Sequence, residues 1–155
     1  MSAADPGATA DRGQDEGQGQ GRGHGDGDGG QDVVTKLSSR SVAETASLFT
    51  QLLIDMGLKI FTVIDQSAEA RLVGLHLRET ILVVFGNPAG GTPVMEASPL
   101  SALDLPLKVV VWSDGGRTKV SYVSPDALAA RYRLTAELVV NLRGIDALTD
   151  ALVAG

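Results

Sequence analysis

The chain has 155 residues, no cysteine and a formal net charge of −6, with 19 acidic against 13 basic residues. That length suits one ordinary domain, and the absence of cysteine excludes disulfides, thiolate nucleophiles and zinc–thiolate centres. The acidic balance offers no electrostatic footprint for nucleic acid or an anionic membrane surface. The only histidines, His24 and His76, are too few for a multi-histidine metal site within one chain, and no metal or cofactor is expected. No charged-then-apolar leader and no apolar run of ~18 residues is present, so a soluble cytoplasmic protein is expected.

Residues 1–31 are rich in Gly, Gln and Asp, carry six acidic and two basic residues, and show no apolar period. Such a segment cannot bury enough surface to offset its backbone entropy, and a disordered tail is expected. Its run GHGDGDGG has the flavour of calcium-binding glycine–aspartate repeats, but a single copy reads better as a solvated tail.

Residues 32–155 read as one domain. Asp32–Leu37 is β-branched and predicts a strand. Ser41 and Glu44 form a capping box, and apolar positions at helical spacing predict a helix over Val42–Met56, ended by Gly57. Leu58–Ile64 is apolar on both sides, which predicts a central strand covered on both faces. Ser67–Val73 predicts a short helix, and Glu79–Phe85 a deeply buried strand. Gly86–Pro93 reads as a glycine- and proline-rich loop. Pro93–Ala97 then makes one helical turn with Pro93 at its first position, and Pro99–Leu103 a second short turn. Leu105–Trp112 and Arg117–Val123 are paired strands across the Ser113–Gly116 turn, with Trp112 and Tyr122 expected near each other as a cross-strand pair, a pocket wall or part of a dimer face. Ser124-Pro125-Asp126 starts a helix running to about Arg133, and Thr135–Val153 is a final amphipathic helix broken or bent near Gly144. The order β-α-β-α-β-β-β-α-α predicts an α+β domain with a mixed or antiparallel sheet of about five strands.

Four ordered motifs, Phe85-Gly-Asn-Pro88, Gly91-Thr-Pro-Val-Met95, Ala102-Leu-Asp-Leu-Pro-Leu-Lys108 and Val120-Ser-Tyr-Val-Ser-Pro125, together resemble the bacterial and archaeal domain-of-unknown-function 302 family over about Val33–Leu152. The resemblance implies a small α+β domain that pairs as a homodimer, and brings no established reaction. Two positions depart from the family pattern. Asp65-Gln66 stands where the family usually has Asp-His, and Glu79-Thr80 where it tends to have Pro-Thr.

The candidate ligand-binding residues are Asn87, Gly91, Thr92, Met95, Asp104, Lys108 and Asp65; no catalytic set is expected. Amides of the Gly86–Thr92 loop can cradle an anion, although no lysine follows the glycines as in a Walker loop. Each candidate also has a plain structural role. Asn87 can fold back as an Asx-turn, Thr92 can cap the next turn, Met95 can fill the core, and Asp65 can cap the following helix. Asp104 and Lys108 can pair, or Lys108 can point to solvent. His76 lacks a nearby partner for acid–base work. Three functions follow as expectations: a homodimeric binding or accessory module for a small molecule or anion, a small enzyme acting on an anionic metabolite through Asp65 and Lys108, or a purely structural dimerisation domain.

Overall fold

A computed structural model of the protein describes residues 32–155; the expected disordered tail lies outside the described residues. The elements run β1 (Val33–Ser38), α1 (Val42–Asp55), β2 (Lys59–Asp65), α2 (Gln66–Leu72), β3 (Thr80–Gly86), α3 (Pro88–Ala97), a 3₁₀ turn (Pro99–Leu103), β4 (Leu107–Asp114), β5 (Arg117–Val123), α4 (Pro125–Tyr132), α5 (Ala136–Val139), a second 3₁₀ turn (Val140–Leu142) and α6 (Gly144–Val153). The strands form one antiparallel sheet in the order β1-β5-β4-β3-β2. The α+β class and the element order follow the sequence expectation.

Local chemistry explains the boundaries. The Ser41–Glu44 box is made in both directions and starts α1. Gly115 and Gly116 lie at φ 57° and 83°, the positive-φ pair of a two-residue turn that matches strand twist. They set Asp114 opposite Arg117 and so fix the register of the β4–β5 hairpin.

One face of the sheet carries the main core. Val83, Phe85, Val109, Val111, Val120 and Tyr122 pack against Phe49 and Leu53 of α1 and Ile145 and Leu152 of α6. Phe49 meets Phe85 edge-on, with ring centroids 5.2 Å apart at 89°. Lys36 of β1 also points to this face. Its Nζ pairs with Asp150 at 2.7 Å and donates to Thr149 Oγ1 at 2.7 Å, which ties α6 to the sheet. Burial alone would lower the Lys36 pKa, but the Asp150 and Tyr122 contacts outweigh it and hold the ammonium above its usual range. A smaller apolar cluster around Val94, Leu128 and Leu142 joins α3, α4 and the second 3₁₀ turn.

Four expectations need correction. The strand expected at Leu58–Ile64 is not central: β2 is an edge strand, and Phe61 and Val63 are 43% and 47% exposed. Its pattern, apolar on both sides, reflects a β-bulge between Ile60 and Thr62 that turns Phe61 out of register. The segment expected as the loop Gly86–Pro93 is mostly helix, because Asn87 caps and Pro88 begins α3. Pro93 is therefore inside a helix and not at its first position; having no N–H, it cannot donate to the Ala89 carbonyl one turn back. Trp112 and Tyr122 are not a pair. Trp112 lies opposite Lys119 and donates to Ser121 Oγ at 3.0 Å, whereas Tyr122 lies on the other face against Val34.

Phe49→Ala removes the ring that locks α1 onto β3, and a destabilisation of about 3–5 kcal/mol is expected in urea unfolding.

Candidate functional site

The site begins with Asn87. Its Oδ1 accepts from the Ala89 amide at 3.0 Å, and its main-chain oxygen accepts from the Gly90 and Gly91 amides at 2.9 Å each. The chain thereby turns straight from the end of β3 into α3. Pro88, Gly91, Thr92 and Met95 then share one stripe at spacings of three, four and seven. Val94 sits on a different stripe and is fully buried.

The Pro88–Met95 stripe faces the start of β4, where Leu105, Pro106 and Leu107 pass. Between them lies a cavity of about 290 Å³, lined also by Phe61, Gly86, Asn87, Asn141 and Leu142. Gly86 lines the cavity at the sheet end, where a Cβ would make ordinary contacts, 3.6 Å from Pro106 and 3.8 Å from Phe61. Asn141 donates from Nδ2 to the Gly90 carbonyl at 3.2 Å and joins the second 3₁₀ turn to α3. The bend after Phe85 and the approach to Leu107 therefore share one hollow.

Four sequence candidates come together there: Asn87, Gly91, Thr92 and Met95. Three do not line it. Asp65 caps α2, accepting from Ala68 N at 2.9 Å and from Ser67 Oγ at 2.6 Å. Those bonds, the Ser67 hydroxyl first, hold its carboxyl below the usual range. Asp104 accepts from Tyr132 Oη and from Arg131 Nη1 at 2.9 Å. The Tyr132 hydroxyl is the larger cause that keeps the Asp104 carboxyl low, and the same bond pushes the Tyr132 phenol up. Lys108 is exposed, and its Nζ reaches only the Pro106 carbonyl, at 3.5 Å. Asp65 and Lys108 do not converge. Register places Asp65 level with Val111, two strands from β4 and on the opposite face from Lys108, about 10 Å along and about 10 Å across the sheet. His76 lies in an exposed loop.

Phe61, Leu105, Pro106, Leu107, Asn141 and Leu142 were not among the sequence candidates. The available signal was Asn-Pro-x-Gly-Gly read as an N-cap with proline in the first turn; it would have made α3 a helix and revealed its stripe. Nothing local marks Asn141, which meets Gly90 across 51 residues. Among the described residues no group of three His, Asp or Glu side chains could hold a metal ion, and no helix is long and apolar enough to cross a membrane.

The sequence profile described as "Domain of unknown function DUF302" matches residues 34–152, nearly all of the described chain. The chain belongs to the DUF302 family. A crystal structure of an uncharacterized conserved DUF302 protein from Bacillus stearothermophilus has the same fold, with a TM-score of 0.68 at 20% identity over 80% of this chain and 97% of that one. Two curated relatives are each 39% identical over 103 residues, 66% of this chain. They are named fluoride-specific ion channel FluC 1, from Brucella suis biovar 1 (strain 1330) and Brucella abortus biovar 1 (strain 9-941). The match spans 41% and 38% of their lengths, so this chain corresponds to about two fifths of each.

The lowered Asp104 pKa has a pH consequence. An aspartate depressed in the fold contributes stability above its ordinary value of ~3.9, and that contribution is lost as pH falls through the folded value. Asp104→Asn should therefore be less stable than the wild type at pH 7 and converge on it in acid. Thermal melts from pH 7 down to about pH 3 check this.

Proposed function

We propose that this DUF302 domain is a homodimeric accessory module that binds a small molecule in the cavity between α3 and the start of β4. One observation carries the binding role. A single helical stripe, a proline, a glycine, a threonine and a methionine, leaves a concave space beside the sheet end, where close packing would otherwise fill it. Its apolar walls with a few polar groups at the rim are the usual make-up of a ligand pocket.

The homodimer is supported by the second face of the sheet. Among the described residues no α1- or α6-like layer covers that face, which presents Leu82, Val84, Val110 and Trp112, all half-buried. Lys108 and Asp114 lie at opposite ends of β4 on this same face. Asp114 is already paired within the chain by Lys119 at 2.7 Å and Arg78 at 3.3 Å, so the apolar residues carry the case for self-association. An accessory role is supported by the curated relatives, in which the matched segment accompanies a longer remainder.

An anion held by loop amides is less well supported, because the first amides of α3 are already bonded to Asn87. The enzyme reading loses its polar pair, since Asp65 and Lys108 are apart.

Gly91→Leu tests the binding role. Gly91 has ordinary helical geometry, and a Cβ there meets only Met95 Cε, at 3.9 Å. Replacing a helical glycine gains up to about 1 kcal/mol of propensity, while the new side chain fills the hollow. A thermal-shift screen of small molecules should give hits on the wild type that vanish in this folded variant; hits that survive would refute the site. Val110→Lys should convert a dimer into a folded monomer by light scattering, and a wild-type monomer at high concentration would refute the dimer.

A further inference from the structure

Resting on the binding role just proposed, we infer that the occupant of this cavity is an uncharged molecule with an apolar body and one amide-like end that both donates and accepts a hydrogen bond. The site thereby selects against carboxylates and other anions.

Three observations lead there. The first is the state of the helix start. The amides of Ala89, Gly90 and Gly91 are bonded to Asn87, and Pro88 has none, so no main-chain donor of the first turn is left for an anion.

The second is charge. None of the lining residues is Lys, Arg or His. Two cations stand just outside the lining: Lys108, whose Nζ lies 3.5 Å from the Pro106 carbonyl oxygen, and Lys59, whose Nζ sits 5.0 Å from the centre of the Phe61 ring. Both are exposed, so water screens them. An anion that left water for walls of Met95, Leu105, Leu107 and Leu142 would find no opposite charge in the lining, and burying a charge without one is costly.

The third is the state of the two rim carboxamides. Asn87, which lines the cavity, spends Oδ1 on its own helix cap, which leaves Nδ2 as an unused donor. Asn141 spends Nδ2 on the Gly90 carbonyl, which leaves Oδ1 as an acceptor. The two carboxamides thus offer one kind of donor and one acceptor, and the Thr92 hydroxyl beside them can serve as either. A primary amide or a lactam answers both. A carboxylate only accepts, and would set a second negative oxygen against Asn141 Oδ1. The volume of about 290 Å³ suits a body of one or two rings.

The test compares 2-naphthamide with 2-naphthoate, which differ at the polar end alone. Each is titrated at low millimolar concentration into the ¹⁵N-labelled full chain, with amide shifts of Gly91, Thr92 and Met95 as the readout. The amide should bind at least ~10-fold tighter than the carboxylate. Asn141→Lys replaces the acceptor by a cationic donor and should narrow or reverse that ratio. Gly91→Leu should abolish the shifts from both compounds. Equal or tighter naphthoate binding by the wild type, with shifts that Gly91→Leu still removes, overturns the ligand class and leaves the cavity standing as a site. Shifts absent from the wild type, or unchanged in Gly91→Leu, overturn the cavity reading itself and this inference with it.

Discussion

Asn87 is where the architecture turns. Its side-chain oxygen and main-chain oxygen together bind three successive amides, so α3 starts one residue after β3 ends. A slacker connection would let the helix drift from the sheet end. With the cap in place, the Pro88–Met95 stripe is held against Leu105–Leu107, and Val94 on a neighbouring stripe anchors the helix in the smaller apolar cluster. The same residue both builds the cavity and offers its remaining amide at the rim. The two oxygens of Asn87 perform the capping and leave its Nδ2 for the ligand we propose.

The sheet supplies the rigid side of the hollow. Four antiparallel ladders and a core face packed on α1 and α6 hold β3 and β4 in register. That register delivers Gly86 and Leu107 to the same edge. The bulge in β2 then swings Phe61 beside Gly86, closing a side that a regular edge strand would leave open. Polar clusters elsewhere have partners of their own. Lys36 is matched by Asp150 and Thr149, and Asp104 by Tyr132 and Arg131. They fasten elements and leave the cavity's polar chemistry to uncharged groups.

Much of the fold was legible. The capping box gave the start of α1, and two adjacent glycines gave β5 from Arg117 to Val123. The family's four motifs lie where β3, α3, β4 and β5 meet, which is why they read as one ordered set. The helix α3 is hidden in the sequence because glycine and proline read as breakers, while the asparagine before them sets a cap. β2 was misplaced because the bulge makes an edge strand apolar on both sides. A further part of the lining is out of reach for a different reason: Phe61, Asn141 and Leu142 arrive from distant segments, and their local patterns are those of an ordinary strand and turn. Asp65 and Lys108 were legible as individuals, each in its plain role, but which face each takes is set by the strand register.

The most direct measurement is the crystal structure of the full chain soaked with 6-bromo-2-naphthamide, with the bromine located by anomalous scattering. The account predicts a single strong peak between Met95 and Leu107, with the amide end at Asn87 and Asn141. A peak elsewhere on the protein, with the space beside Gly91 closed by its own side chains, would contradict it.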